Sequence, residues 1–178
     1  DLDGDDEPEI VTTVADTASG ARIRVYGIDG SEIATGPIYG SGWRHQLCVA
    51  PFGPDGAPAL AVVRKPPVDR TVEFYRLNSG ELEVVATKQG YSSHTYGSRN
   101  LDGGLAGDLD GDGRPELLVP TTPRQELAVL QRTDGGVAQA FSLPLGGRIT
   151  TNVAGVTIDG GRIAVGAGTA NRVRVWQG

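Results

Sequence analysis

Residues 108–117 read Asp-Leu-Asp-Gly-Asp-Gly-Arg-Pro-Glu-Leu, and residues 1–10 read Asp-Leu-Asp-Gly-Asp-Asp-Glu-Pro-Glu-Ile. Both stretches carry Asp at the first, third and fifth positions and Glu at the ninth. Carboxylates spaced in this way repel one another unless a cation lies between them, and Ca²⁺ takes its oxygen ligands from flexible loops of this kind. The repeated spacing therefore predicts two calcium-binding loops.

The ligands of each loop follow by analogy with helix-bounded calcium loops, which use side chains at positions 1, 3 and 5 and a backbone carbonyl at position 7. In the second loop the predicted ligands are Asp108, Asp110, Asp112, the carbonyl of Arg114, and Glu116. In the first loop they are Asp1, Asp3, Asp5, the carbonyl of Glu7, and Glu9. Asp6 stands where the second loop has a glycine, at a sharp turn that favours glycine.

The residues around the loops predict strands rather than helices. A proline precedes the ninth position in both copies, and Leu-Leu-Val or Ile-Val-Thr follows. These are residues typical of strands, so a loop between two helices is the poorer interpretation. A solvated acidic turn without any metal is the alternative interpretation of either loop.

Composition indicates one all-β unit, and the predicted calcium loops indicate a location outside the cytosol. The chain has 178 residues, of which 27 are Gly and 11 are Pro. It contains no long stretch with helical periodicity, which favours an all-β fold. The net charge of −6, without a concentrated basic stripe, argues against a nucleic-acid partner. No apolar run approaches 18 residues, so we expect no membrane span in this segment. Loops of this kind suit millimolar calcium, which predicts an extracellular, cell-surface or periplasmic location.

The second loop belongs to a unit that recurs four times. Its fifth position, Asp112, has counterparts at Asp5, Asp55 and Asp159, with spacings of 50, 57 and 47 residues. A period near 50 built from short strands is typical of the blades of a β-propeller. The predicted blades cover about residues 1–38, which lacks its inner strand, and then 39–95, 96–144 and 145–178. In the third blade we predict strands at 104–107, 115–121, 126–132 and 137–143.

Residues 106–119, Ala-Gly-Asp-Leu-Asp-Gly-Asp-Gly-Arg-Pro-Glu-Leu-Leu-Val, resemble an FG-GAP or VCBS-type repeat, as found in integrin α-chain propellers and in secreted bacterial propellers. The resemblance implies a calcium-stiffened propeller of seven or eight blades, with the ions on the face opposite the ligand. Glu9 and Glu116 depart from the pattern, which commonly has Asp there. A larger ring would include missing upstream blades, and a closed ring of four blades is the alternative.

The linkers between blades differ from copy to copy, which is where a repeat protein can recognise a ligand. The predicted ligand face comprises Trp43, Arg44, His45, Arg99, Asn100, Asp102 and Arg148. Aromatic, guanidinium, imidazole and amide groups can hold a sugar or an anionic group by stacking and hydrogen bonds. Ordinary turn residues that cover the mouth of a channel are the alternative.

The predicted function is that of a binding or scaffolding module for a protein or a glycan, with Ca²⁺ in a structural role. No motif of a nucleophilic enzyme, zinc protease or phosphate-binding loop occurs, and no catalytic residue is assigned. A propeller-based polysaccharide lyase or hydrolase is the alternative, with His45 next to Arg44 as its best pair. His94 is expected to be solvated, and Cys48 to be a buried, unreactive thiol.

Overall fold

The computed structural model describes residues 1–38, 40, 42–158 and 162–177. The regular elements in this part of the chain are all strands, which confirms the all-β prediction. No helix there has the length and apolarity to cross a bilayer. The strands are β1 Ile10–Asp16, β2 Gly20–Tyr26, β3 Glu32–Thr35, β4 Arg44–Ala50, β5 Ala59–Arg64, β6 Thr71–Asn78, β7 Glu81–Gln89, β8 Leu105–Gly107, β9 Glu116–Pro120, β10 Glu126–Thr133, β11 Gly136–Pro144, β12 Ala154–Thr157, β13 Ile163–Gly168 and β14 Val173–Gln177.

The strands form three sheets in which sequence neighbours pair. Their orders are β1-β2-β3-β7-β6-β5-β4, β11-β10-β9-β8 and β12-β13-β14. Every pairing is antiparallel except the one between β3 and β7, which consists of a single parallel pair, Thr35 with Glu81. The seven-stranded sheet is therefore two antiparallel runs, β1–β3 and β4–β7, joined at their outer strands.

The seven-stranded sheet curls until it is nearly closed. The Thr13 hydroxyl on β1 donates to the Arg44 carbonyl on β4 over 2.7 Å, and the Gln46 side-chain amide donates to Thr13 over 2.9 Å. These bonds join the two edge strands. A barrel-like wall results, with Ile23, Val25 and Tyr75 fully buried inside it.

The strands fall into four consecutive antiparallel runs, β1–β3, β4–β7, β8–β11 and β12–β14, and an apolar core lies between each run and the next. Two of the strands, β5 and β9, each contribute side chains to two cores. On β5, Leu60 and Val62 face the core shared with β1–β3, whereas Ala59, Ala61 and Val63 face the core shared with β8–β11. On β9, Leu117 and Val119 face that second core, and Leu118 faces the third, toward β12–β14. Strands buried on both faces read as continuous apolar runs, as these do.

The four strands predicted between residues 104 and 143 are confirmed as β8, β9, β10 and β11, with ends that shift by one or two residues. The acidic loop 108–115 connects β8 to β9, as predicted. The start of the second predicted blade, at residue 39, and the repeat position at Asp159 lie outside the described residues. Trp176 on β14 packs against the third core.

One face of the last sheet is apolar and open to solvent. Val156 on β12 and both Val173 and Val175 on β14 are 62%, 73% and 67% exposed. The opposite face of the same sheet contributes Val165 and Ala167 to the third core. On β14 the valines therefore lie on the exposed side, whereas Trp176 lies on the side of the third core.

Candidate metal centres and binding cavity

The second acidic loop is organised by its own carboxylates. Both oxygens of Asp108 accept backbone N–H bonds, from Gly111 over 2.7 Å and from Gly113 over 3.0 Å. The carboxylate of Glu116 accepts the N–H of Leu109 over 2.8 Å and so links the start of β9 to the start of the loop. These bonds fold the loop back on itself, so that its first residues lie next to Glu116.

The first loop repeats this network bond for bond. Asp1 accepts from Gly4 over 2.6 Å and from Asp6 over 3.3 Å, and Glu9 accepts the N–H of Leu2 over 2.5 Å. Asp6 has φ +68, close to the +86 of Gly113 in the second loop. Asp tolerates this left-handed conformation better than most residues, which explains why the substitution leaves the loop intact.

The carboxylates in each loop come close enough to share one ion. Ligand oxygens of Asp1, Asp3, Asp5 and Glu9 all lie within 4.8 Å of one another, and so do those of Asp108, Asp110 and Glu116. Groups of exposed acids also occur without an ion, so proximity alone does not identify a metal site.

Asp112 lies outside the second group, although the sequence predicts it as a ligand. One of its oxygens accepts the N–H of Arg114 over 2.8 Å, and the other accepts from the Gln131 side chain over 2.9 Å. In the first loop, the corresponding residue Asp5 accepts the N–H of Glu7, and the described contacts include no side-chain bond to it. Asp5 remains close to the other carboxylates of that loop. Metal binding through the carbonyls of Glu7 and Arg114 stays a prediction.

Glu116 is the member of the second group that most requires an explanation. Its side chain is fully buried, and its Oε1 atom has no hydrogen-bond partner. Burial, together with the negative charges of Asp110, Asp112 and Asp108, raises the pKa of Glu116 to about 7, against the opposing effect of the Leu109 N–H bond. A buried carboxylate without a partner is costly, and a cation placed among these oxygens would satisfy it. The residues of the second loop therefore fit a metal ion.

The corresponding turn between β4 and β5 contains a single acid, Asp55, and the described residues form no cluster of carboxylates there. Gly53 donates to the Ala57 carbonyl over 3.1 Å, and Gly56 donates to the Gly53 carbonyl over 2.8 Å. One oxygen of Asp55 accepts the Ala57 N–H over 3.2 Å within the turn, and the other pairs with Arg76 at 3.0 Å.

A cavity lies at the opposite end of the same strands. Strand β9 begins at Glu116 beside the acidic loop and ends at Pro120, next to Thr122, Pro123 and Arg124. Strand β4 runs the other way, from Arg44 and His45 at the cavity toward the metal-free turn. The acidic groups and the cavity are therefore separated by the length of a strand.

Two histidines meet in this cavity, which has a volume of about 440 Å³. The Ser93 hydroxyl lies 2.9 Å from Nδ1 of His45 and 3.1 Å from Nδ1 of His94. One hydroxyl can donate to one of these nitrogens and accept from the other, so the two rings adopt complementary tautomers. The rings pack edge to face at 5.0 Å, and the Trp43 ring lies 6.0 Å from that of His94.

Burial keeps both histidines neutral at physiological pH. Desolvation lowers the pKa of His45, against a smaller opposing effect of Asp102. Desolvation also lowers the pKa of His94, and repulsion from Arg124 and from the protonated form of His45 lowers it further. The expectation that His94 is solvated is wrong, because its residue surface is only 5% exposed.

The structure brings some of the predicted ligand-face residues together and not others. Trp43 and His45 line the first cavity, and Arg148 lines the neighbouring ones. Arg44 also borders the first cavity, but its guanidinium is buried, with Nη1 bonded to the Ala21 carbonyl and Nε bonded to the Tyr75 hydroxyl. Its charge therefore serves the contact between strands rather than a ligand.

The other predicted residues lie at the edge of this region. Asn100 lines an adjoining cavity and donates to the Thr150 carbonyl over 2.6 Å. Asp102 accepts from Asn152 over 3.3 Å, and Arg99 is exposed. Neither Asp102 nor Arg99 lines the cavities described here.

Sequence reasoning missed Ser93 and Arg124. The Arg124 guanidinium is buried and donates from Nη1 to the carbonyls of Ser92 and Ser93, over 3.0 and 2.8 Å. No motif marks either residue, because both act through contacts between segments about thirty residues apart. Cys48 is half-buried, and burial raises the pKa of its thiol to about 12, as expected for an unreactive side chain.

A comparison of the chain with protein-family models finds no match, and a comparison with curated proteins finds none either.

Proposed function

We propose that this chain is a calcium-stiffened segment of a β-propeller that binds a protein or glycan ligand at the cavity containing His45 and His94. The calcium ions are structural and lie in the two acidic loops. The ligand contacts the opposite end of the strands. We place the protein outside the cytosol, where calcium is millimolar and such loops are filled.

The observation that carries the calcium proposal is the orphaned Oε1 atom of Glu116. It lies inside a fully buried side chain whose neighbours are Asp108 and Asp110. The donor set consists of oxygen atoms alone, which suits a hard cation. Ca²⁺ suits the site better than Mg²⁺ because a flexible loop with several carboxylates tolerates irregular coordination, whereas Mg²⁺ requires a near-ideal octahedron.

The packing of the strands supports the propeller proposal. Four consecutive antiparallel runs lie face to face, with three apolar cores between them. The run β8–β11 has the four strands of a blade, and its acidic loop joins the first strand to the second. The exposed apolar face formed by Val156, Val173 and Val175 suits contact with a further blade.

A calcium titration followed by calorimetry tests the proposal. We expect two ions per chain, and one ion in each of the variants Asp3→Asn and Asp110→Asn. Asp55→Asn is the matched control, because Asp55 occupies the same repeat position in a turn where the described residues form no cluster of acids. This variant should bind two ions. Failure of the unmodified protein to bind Ca²⁺ at millimolar concentration would refute the metal sites.

A catalytic function is the second candidate, and the paired histidines favour it. A neutral His45 whose Nδ1 is fixed by Ser93 could act as a general base toward a sugar held in the cavity. The test is turnover of anionic and neutral polysaccharides. Activity that disappears in His45→Ala, with unchanged ligand binding, would establish a lyase or hydrolase; binding without turnover supports the binding module.

A further inference from the structure

Three adjoining cavities form a continuous groove at the ligand end of the strands. The first, of about 440 Å³, contains Trp43 and the two histidines. The second, of about 360 Å³, is lined by Arg70, Arg124 and Arg148, and the third, of about 300 Å³, shares the last two arginines. Thr95 and Tyr96 line all three cavities and so connect them.

The charge in this groove has one sign. None of the described residues that line the three cavities is Asp or Glu, although the whole chain carries a net charge of −6. The nearest acid to Arg70 in sequence, Asp69, is engaged with Arg64 at 3.2 Å. Asp102, whose negative charge opposes the lowering of the His45 pKa, accepts a hydrogen bond from the Asn152 side chain. Arg70, Arg124 and Arg148 therefore have no acidic partner among the described residues that line the groove.

The two central arginines lie close enough to oppose each other's charge. Arg124 is 6% exposed, and burial lowers the pKa of its guanidinium, as does the positive charge of Arg148. Like charges brought together in a partly desolvated cavity are unfavourable without an anion between them. Guanidinium groups bind carboxylates through hydrogen bonds, and the described contacts of Arg124 with the carbonyls of Ser92 and Ser93 occupy only its Nη1 atom.

Exposed aromatic rings flank the basic centre. Tyr96 is 87% exposed and Trp43 is 54% exposed, which is unusual for side chains of this size. An exposed ring offers a flat apolar face at low entropic cost, and sugar rings have a complementary apolar face. An acidic peptide would satisfy the arginines equally well, but it would leave these faces without a matched partner.

We propose that the groove binds an acidic oligosaccharide, with carboxylates on Arg124 and Arg148 and sugar rings on Tyr96 and Trp43. The inference deepens the proposed binding function and rests on it for the existence of a ligand. It does not depend on the metal, because the acidic loops lie a strand length away.

Calorimetry with defined ligands tests the inference. The probes are trigalacturonate, a hyaluronan tetrasaccharide, fully methyl-esterified trigalacturonate, hexaglutamate and inorganic sulfate, each measured on the calcium-loaded chain. We expect at least one of the two uronate-bearing sugars to bind, and to bind at least tenfold more tightly than the ester, hexaglutamate or sulfate. The affinity should fall as salt is raised, because arginine–carboxylate contacts are screened.

Variants locate the binding. Arg148→Glu should weaken binding of the acidic sugar at least tenfold, and Tyr96→Ala should weaken it several-fold; both residues are exposed, so the fold should persist. Arg162→Glu is the matched control, because Arg162 precedes β13 and the other end of that strand, Gly168, bonds to Thr150 and Thr151 at the groove. That control should bind the sugar as the unmodified chain does.

The outcomes separate this inference from the proposed function. Equal binding of the ester and the acid overturns the acidic-sugar inference but leaves a glycan-binding module. Tighter binding of hexaglutamate also overturns it and indicates a protein ligand. No binding of either uronate-bearing sugar overturns it as well, and two calcium ions per chain in the same preparation would show that the metal proposal stands independently.

Discussion

At the scale of single residues, the buried carboxylate of Glu116 is the strongest argument for a bound cation. Its carboxylate is fully buried, and only one of its oxygens has a hydrogen-bond partner. The sequence predicts Glu116 as a ligand from its position in the repeat. Its burial and its missing partner follow from the packing of β9 between two cores, which the repeat pattern alone does not specify.

Replacement of this residue has opposite consequences with and without calcium. Glu116→Gln removes a buried negative charge, so the metal-free protein should gain on the order of 1–3 kcal/mol of unfolding free energy at pH 8. The same change should abolish the stabilisation by calcium at this loop. Urea unfolding in calcium and in chelator measures both effects. A variant that is less stable than the original chain in chelator would contradict the account.

The histidine pair makes stability depend on pH. The folded-state pKa values of His45 and His94 lie below the ordinary 6.5, so the unfolded chain binds more protons in the interval between them. Stability should therefore be lost as the pH falls through 6.5 toward the lowered values. We expect the melting temperature to decrease more steeply between pH 7 and 5 in the original chain than in the double variant His45→Gln, His94→Gln. Parallel decreases would contradict this prediction.

Other residues had roles that sequence could not assign. Arg44 was predicted on the ligand face because it lies between Trp43 and His45, but its neighbours on the strand point to the other side. Asp112 was predicted as a ligand from its spacing, and Gln131 holds it away from the group. Both outcomes depend on contacts between strands that are distant in sequence.

At the scale of secondary-structure elements, local patterns were sufficient for much of the fold. Strands β8–β11 were predicted within one or two residues, because apolar runs alternate with turns rich in Gly, Asp and Pro. The curling of the first sheet and the single parallel contact between β3 and β7 were not predicted. Those features arise from packing between runs and have no local signature.

A buried ionic cluster connects β4, β5 and β6. Glu73, which is fully buried, accepts from the Tyr75 hydroxyl over 2.5 Å and pairs with Arg64 at 2.8 Å and with Arg44 at 3.8 Å. Removal of one partner leaves the buried positive charge uncompensated. Glu73→Ala should therefore lower the unfolding free energy by about 3–5 kcal/mol in urea unfolding.

The control for this prediction is the same change in an exposed pair. Glu32 pairs with Arg24 at 2.9 Å, and its side chain is 45% exposed. Glu32→Ala should cost less than about 1 kcal/mol. Similar losses in the two variants would show that the cluster around Glu73 contributes no more than a surface ion pair.

At the scale of the whole molecule, two ends with opposite charge define the proposal. The acidic loops lie at one end of the strands, and the groove with Arg70, Arg124 and Arg148 lies at the other. The sequence predicted this separation only through the resemblance to calcium-bearing repeats. The strand directions give it an independent physical basis, because the loop 108–115 and the loop around Arg124 are at opposite ends of β9.

The exposed apolar face of the last sheet should affect solution behaviour. Val156, Val173 and Val175 lie together on it, and an apolar patch of this kind promotes association. Val175→Lys should reduce self-association in light scattering while changing the unfolding free energy by less than about 0.5 kcal/mol. Unchanged association at matched concentration would mean that this face does not mediate contacts in solution.

The central claim is that a bound cation holds the two acidic loops in shape. Its most direct test is thermal unfolding of the chain in millimolar calcium and in excess chelator. A site filled at 100-fold above its dissociation constant contributes about 2.7 kcal/mol, so chelation should lower the melting temperature by about 10–20 °C for the two loops together. Superimposable melting curves in calcium and in chelator would contradict the account.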